Sequence, residues 1–192
     1  MLVILTGTSF SGKSTMQSML LENVANTRVF QTSTTRQKRE YERDMATWQL
    51  PYHFYSKEEF EERIRKKEFF EYELIHKGDH DDYYGTRKGD IEQAIKDKNT
   101  IFVAVLEPHG AEKIKNAYKD AYVIFIEPPS LETIRERALK RNTETLEDIS
   151  ARLERAVMEL TYKDQFDDCI VNHDVDDTFN ALTLSIKNKN FN

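Results

Sequence analysis

The sequence predicts an α/β fold, a parallel sheet flanked by helices, with an inserted α/β lobe and a helical lid. Three observations predict it. Short apolar runs alternate with helical patterns over most of the 192 residues, as in sheets built with crossover helices. The first run leads straight into Gly7-Thr8-Ser9-Phe10-Ser11-Gly12-Lys13-Ser14, the pattern Gly, four residues, Gly-Lys-Ser. The stretch from Thr34 to Thr86 breaks the alternation; it is polar, arginine-bearing and aromatic, with Trp48, Tyr52, Phe54 and Tyr55.

The elements follow in order. Leu2-Val3-Ile4-Leu5 reads as a short buried strand. Met16, Met19, Leu20 and Leu21 have the spacing of one helix face. Arg28 to Phe30, Ile101 to Leu106, Tyr122 to Ile126 and Cys169 to Val171 read as further strands. Helical patterns lie near 90–96, 111–118, 131–140, 146–162 and 178–187. Inside the lobe, Ser56-Lys57-Glu58-Glu59 is a capping box opening a helix expected to run through Lys67. Phe69 to Ile75 reads as a strand, and Tyr83-Tyr84-Gly85-Thr86 as a turn.

Composition bounds the function. With 28 basic and 34 acidic residues the net charge is −6, which argues against nonspecific nucleic-acid binding. A single cysteine, Cys169, excludes an internal disulfide and suits a reducing, cytoplasmic setting. No apolar run approaches the roughly 20 residues that span a bilayer, and the first strand leaves no room for a signal peptide. The five histidines are scattered along the chain and read as structural or surface residues.

The chemistry sits in three places. Strand, glycine loop and helix in that order form a phosphate cradle. Backbone N–H groups and the positive end of a helix hold anionic oxygens; Lys13 adds a point charge, and the Ser14 hydroxyl can ligate Mg²⁺. Thr34-Thr35-Arg36 with Arg39 places two guanidiniums three apart, suited to clamping a second phosphate. Arg135, Arg137 and Arg141 enter the polar break Asn142–Thr145, with Arg152 and Arg155 following, which suits a hinged lid. Some of these, Arg135 and Arg155 first, are also explained by pairing on a solvated face. Glu71, among aromatics, is either a carboxylate that reads a guanine or an exposed strand acid.

Taken together, these segments resemble guanylate kinase. The matching pieces are Gly7–Thr15, Thr34-Thr35-Arg36 with Arg39 and Glu42, Tyr52-His53-Phe54, Glu68–Glu71, Tyr83–Thr86, Ile126–Ser130, Arg137 and Arg141 before Thr143–Thr145, Ile149–Leu153, and Val171-Asn172. The resemblance implies a P-loop NTPase-type core over 1–32 and 87–192. It implies an NMP-binding lobe over 33–86 and a lid near 137–152. The implied activity is ATP- and Mg²⁺-dependent phosphorylation of GMP or dGMP, by a monomer or a dimer. The ATP side would be Gly7, Thr8, Ser9, Phe10, Ser11, Gly12, Lys13, Ser14 (also the metal ligand), Thr15 and Asn172, with Asn172 toward the adenine. Lys13, Arg137, Arg141 and Arg152 would stabilise the transferring phosphoryl group. Thr32, Arg36, Arg39, Tyr52, Glu71, Tyr84, Thr86 and Glu107 would hold the acceptor, Glu71 and Thr86 reading the base.

The chain departs from the family pattern on the acceptor side. Paired aspartates are replaced within Ala104–Gly110. Anchored on Gly110, Glu107 takes the second position; anchored on the strand start, Leu106 does. About four extra residues precede Tyr52 and about four precede Tyr84. A kinase for another nucleoside monophosphate, modified or not, is the rival reading. A non-catalytic interaction module of the same fold is a further one, though it would not need the complete phosphate loop and lid arginines.

Overall fold

The computed structural model describes residues 1–47, 50–77, 80–141 and 146–190. In chain order the elements begin with β1 (Leu2–Thr6), α1 (Lys13–Asn23), β2 (Thr27–Val29), β3 (Thr32–Thr34), α2 (Glu40–Arg43) and β4 (Tyr52–Phe54). Next come α3 (Lys57–Arg65), β5 (Phe69–Lys77), β6 (His80–Arg87), α4 (Lys88–Lys96), β7 (Ile101–Val105) and α5 (Pro108–Ala117). The chain closes with β8 (Tyr122–Glu127), α6 (Leu131–Arg141), α7 (Leu146–Glu159), a 3₁₀ turn (Leu160–Gln165), β9 (Asp168–Val171) and α8 (Val175–Asn190). All five expected core strands form one sheet in the order β2-β7-β1-β8-β9. β1 pairs with β8 and β8 with β9, both parallel. A second sheet has the order β4-β3-β6-β5.

The chain divides into two compact units, Met1–Leu2 with Arg28–Phe102, and Val3–Thr27 with Val103–Asn192. The first takes in β2, α4 and the start of β7 as well as the 33–86 lobe. In the second, β1 and β8 supply the core: Val3, Ile4, Leu5, Val123, Ile124, Phe125 and Ile126 are all fully buried. α1 adds Met16 and Leu20, while Met19 and Leu21 are only half-buried.

The lobe departs from its sequence reading. Tyr83 to Thr86 is the end of strand β6 rather than a turn, hydrogen-bonded to β5 on one side and β3 on the other. The helix expected to reach Lys67 ends at Arg65. Its capping box forms at Ser56 and Glu59. Its end is a left-handed Lys67 (φ 57), with Lys67 N–H donating to Ile64 O and Glu68 N–H to Arg63 O, a Schellman closure. The helix expected through Tyr162 likewise tightens to 3₁₀ after Glu159. α3 covers the sheet through Phe60, whose ring stacks on Phe69 (4.2 Å) and Tyr83 (5.0 Å). No helix among the described residues is long and apolar enough to cross a membrane.

Candidate active site

In the second unit, the chain leaves β1 and turns back through Gly7–Gly12 into α1. Gly7 (φ 137) and Gly12 (φ 103) carry the curvature, in a region side chains disfavour. A Cβ on Gly7 would meet Ile126 O at 2.2 Å. Phe10 (φ 60) adopts the left-handed region without being glycine, a conformation that costs about 1 kcal/mol or more. Lys13 Nζ donates to Gly7 O (2.8 Å) and Thr8 O (2.6 Å), closing the loop on itself. Thr8 Oγ1 and Ser11 Oγ are buried without hydrogen-bond partners, hydroxyls a phosphate oxygen would satisfy. Ser14 and Thr15 lie exposed in the first turn of α1.

Two expected arginines reach this loop. Arg137 donates to Phe10 O (3.2 Å) and Asn172 O (2.9 Å). Arg152 donates to Ser9 Oγ (3.3 Å) and lies over the Phe10 ring (5.6 Å). The Arg141 side chain and residues 142–145, the centre of the expected lid, lie outside the described residues. A cavity of about 240 Å³ opens beside the loop, lined by Phe10, Gly12, Thr15, Arg137, Lys140, Asn172 and Val175.

Sequence reasoning missed an acidic pair here. Glu107, expected among the acceptor ligands, precedes α5 in the same unit as the phosphate loop and interacts with Lys13 and Glu159. Glu159 is only 7% exposed. Burial, and then the Glu107 carboxyl beside it, push its pKa up from 4.5 to about 7, with Lys13 and Arg155 pulling the other way. A proton on Glu159 lets it donate to the exposed Glu107 carboxylate and keeps two neighbouring carboxylates from ionising together. Burial lowers the Lys13 pKa, while Glu107 and Glu159 oppose that shift. The pH consequence has a definite sign. A folded acid with a raised pKa holds a proton that the unfolded chain releases, so its stabilisation is complete below the unfolded value and is lost as pH rises through about 7. Melting temperatures of wild type and Glu159→Gln measured between pH 5 and 8 should therefore diverge in favour of the Gln variant as pH rises. A difference that is flat across that range would place the titration elsewhere.

In the first unit, β3, β4, β5 and β6 carry the expected acceptor residues. Thr32 pairs with Tyr52, Thr34 with Phe54 and with Tyr84, and Glu71 with Thr86. Side chains alternate across a strand, so Thr32, Thr34, Tyr52, Phe54, Tyr84 and Thr86 share one face. Glu71 joins them because of a bulge. β5 pairs Phe69 with Arg87 but Glu71 with Thr86, two steps against one. Phe69 therefore packs on Phe60 on one side while Glu71 stands beside Thr86 on the other. Gly85 leaves the room: a Cβ there would meet Glu71 O at 2.9 Å and Phe69 Cδ1 at 3.0 Å.

The Arg36 guanidinium lies over Tyr52 (5.1 Å) and Phe54 (5.3 Å) on that same face. It is held bidentately by Glu42, both contacts at 2.7 Å. Glu42 also accepts from Arg39 N–H (2.7 Å), and Arg39 Nη1 donates to the Tyr41 hydroxyl. The Glu42 side chain is 0% exposed and that of Arg36 12%. The hydrogen bonds from Arg36 hold the Glu42 carboxyl below its ordinary pKa. Glu42 is thus a positioning residue for both arginines; in the sequence it stands out by the three-residue spacing of Arg36, Arg39 and Glu42 and as one piece of the resemblance, with no role attached. Removing one partner of a buried pair costs roughly 3–5 kcal/mol. Glu42→Ala should lower the melting temperature markedly and, where the protein stays folded, raise the acceptor KM far more than the ATP KM. Equal changes in both would deny Glu42 this role.

The guanylate kinase family profile matches residues 1–189. The chain is 36% identical over 188 residues to the guanylate kinase of Chlorobium luteolum, covering 97% of this chain and 91% of that protein. It is 36% identical over 185 residues to the guanylate kinase of Helicobacter pylori, covering 96% and 85%. The crystal structure of guanylate kinase from Anaplasma phagocytophilum superposes with a TM-score of 0.66 at 25% identity, covering 100% of this chain and 86% of that one. The phosphate loop, the arginines brought onto it and this whole-length similarity agree: the chain belongs to the guanylate kinase family.

Proposed function

We propose that this chain transfers the terminal phosphoryl group of ATP to GMP or dGMP, yielding ADP and GDP or dGDP, in the cytoplasm. The observation that carries the reading is the closed phosphate loop, Gly7 to Lys13, with Arg137 and Arg152 drawn onto it. An oxygen of the acceptor phosphate attacks the terminal phosphorus of ATP, and the bond to the bridging oxygen breaks. That nucleophile is already mostly ionised near neutral pH, so no general base is required. Catalysis is positioning and neutralisation of charge.

In this reading Gly7–Thr15 hold the ATP phosphates, and the cavity walled by Arg137 and Asn172 takes the adenine. Lys13, Arg137, Arg141 and Arg152 stabilise the charge on the transferring group. Arg36, Arg39, Tyr52 and Tyr84 grip the acceptor phosphate, and Glu71 with Thr86 reads the base; Thr32 lies in the same row. Mg²⁺ prefers oxygen ligands and usually enters on substrate phosphates with one or two protein oxygens. Ser14, exposed in the first turn of α1, is such an oxygen. When bound, the ion neutralises charge on the terminal phosphates.

One panel tests the proposal: ATP with each common NMP and dNMP. GMP or dGMP should be the fastest acceptor, with weaker discrimination than the family norm because the paired aspartates are replaced within Ala104–Gly110. If dTMP, dUMP or AMP reacts faster than both guanine nucleotides, the acceptor assignment falls while the phosphotransferase assignment stands. No transfer to any acceptor would remove both.

A further inference from the structure

We propose that Asn172 and Thr178 form a latch that presets the phosphate loop for anion binding, with Asn172 acting on the loop backbone and Thr178 holding Asn172 in place. The proposal rests on reading Gly7–Thr15 as the triphosphate site. Asn172 follows β9, and its N–H donates to Glu127 O (2.8 Å), extending the β8–β9 ladder by one bond. Its side chain is turned inward; the residue is 2% exposed. Nδ2 donates to Ser11 O (2.8 Å), across 161 residues of sequence. Oδ1 accepts from Thr178 Oγ1 (3.1 Å) on α8, a hydroxyl shared with the Asp174 carbonyl (2.5 Å). The Asn172 carbonyl accepts from Arg137 Nη2 (2.9 Å), and Arg137 Nη1 also reaches Ser11 O at 3.5 Å.

Every polar group of Asn172 is thus engaged in fixing its neighbours. Ser11 O can only accept, so the NH₂ end of the amide must face the loop, and Oδ1 turns to the Thr178 hydroxyl. In a trans peptide the C=O and the following N–H point in opposite directions. Anchoring Ser11 C=O on Asn172 therefore fixes the opposite direction for Gly12 N–H, one of the donors the loop offers an anion. Gly12 is the complement of this arrangement: a Cβ there would lie 2.2 Å from Asn172 Nδ2. The loop's two left-handed residues nearest Asn172, Phe10 and Gly12, are the positions that would relax first without an anchor. A preset loop binds phosphate without first ordering its backbone.

The test is direct titration of the full chain with MgATP and with inorganic tripolyphosphate, which has phosphates but no base, alongside steady-state kinetics and a melting curve. Asn172→Ala should weaken ATP and tripolyphosphate by the same factor, about tenfold, the loss of roughly one hydrogen bond. The GMP KM should stay within about twofold. Thr178→Val should weaken both ligands roughly three- to fivefold, and Thr178→Ser, which keeps the hydroxyl, should restore them. If Asn172→Ala does not fold, the Val and Ser pair at Thr178 decides alone. Weakened ATP binding with unchanged tripolyphosphate binding in Asn172→Ala would make Asn172 a base contact and overturn the latch. Unchanged binding in Thr178→Val would do the same. A wild-type chain that binds neither ligand would instead remove the reading of the loop on which the latch depends.

Discussion

Lys13→Ala is expected to lower turnover by roughly 10²–10³-fold in a protein that remains folded, the usual cost of losing one preorganised donor to developing charge. Lys13 is the side chain whose ammonium closes the phosphate loop, through Gly7 O and Thr8 O. A nucleotide phosphate would draw that ammonium from neutral carbonyls to an anion, an exchange that strengthens as charge moves onto the bridging oxygen. The variant should keep its secondary structure, because β1 and α1 are anchored by Leu2–Leu5, Met16 and Leu20 rather than by the loop. It should melt slightly lower, since two hydrogen bonds of about 1 kcal/mol each are lost. The loss also removes the cation beside Glu107 and Glu159, so stability should be compared at or below pH 7. Near-wild-type turnover in a folded Lys13→Ala protein would sink the catalytic assignment. A folded variant with slow turnover and unchanged acceptor KM would support it.

The phosphate loop was readable because its chemistry is local. Strand, glycines, lysine and helix are contiguous, and each residue's purpose follows from its neighbours in sequence. The core strands were readable for the same reason: β1 and β8 are unbroken apolar runs. The lobe was not. β3 and β4 are three residues each, too short for a period, and their polar residues Thr32–Thr34 resemble a loop. Tyr83-Tyr84-Gly85-Thr86 read as a turn because glycine usually marks one. Here Gly85 marks close approach of a neighbouring strand at a bulge. A bulge is a property of a pair of strands, so β5 alone cannot announce it. The roles of the buried acids were missed for a related reason. Glu42 was located by the resemblance, but its role emerges only when α2 folds it under Arg36. Glu159 did leave a signal: it lies three residues after Ala156 and ten after Ile149, both buried on α7, so it falls on the apolar stripe where an acid needs a partner. Asn172 was located by the resemblance but its hydrogen bonds to Ser11 and Thr178 join residues far apart in the chain, which no spacing reveals.

Glu71→Gln is expected to reduce kcat/KM for GMP by roughly 10²-fold, the scale of one charged hydrogen-bonded contact to a base. The bulge at Phe69–Glu71 places this carboxylate beside Thr86, on the face that also carries Tyr52 and Tyr84. Guanine presents two adjacent donors, N1–H and the exocyclic amine, and a carboxylate can accept both. Glutamine keeps the size but turns one acceptor into a donor, which then opposes a donor on the base. The loss should therefore be specific. ATP binding should not change, because Glu71 belongs to the unit that lacks the phosphate loop. IMP, which has N1–H but no amine, isolates the second contact: wild type should prefer GMP over IMP strongly, and Glu71→Gln should bring the two much closer. Kinetics with GMP, dGMP and IMP at fixed ATP would measure this. A Gln variant that slows all three acceptors equally would show Glu71 to be a support of the sheet face rather than a reader of the base. A preference for GMP over IMP that survives intact would mean that the amine is read by another residue of the lobe.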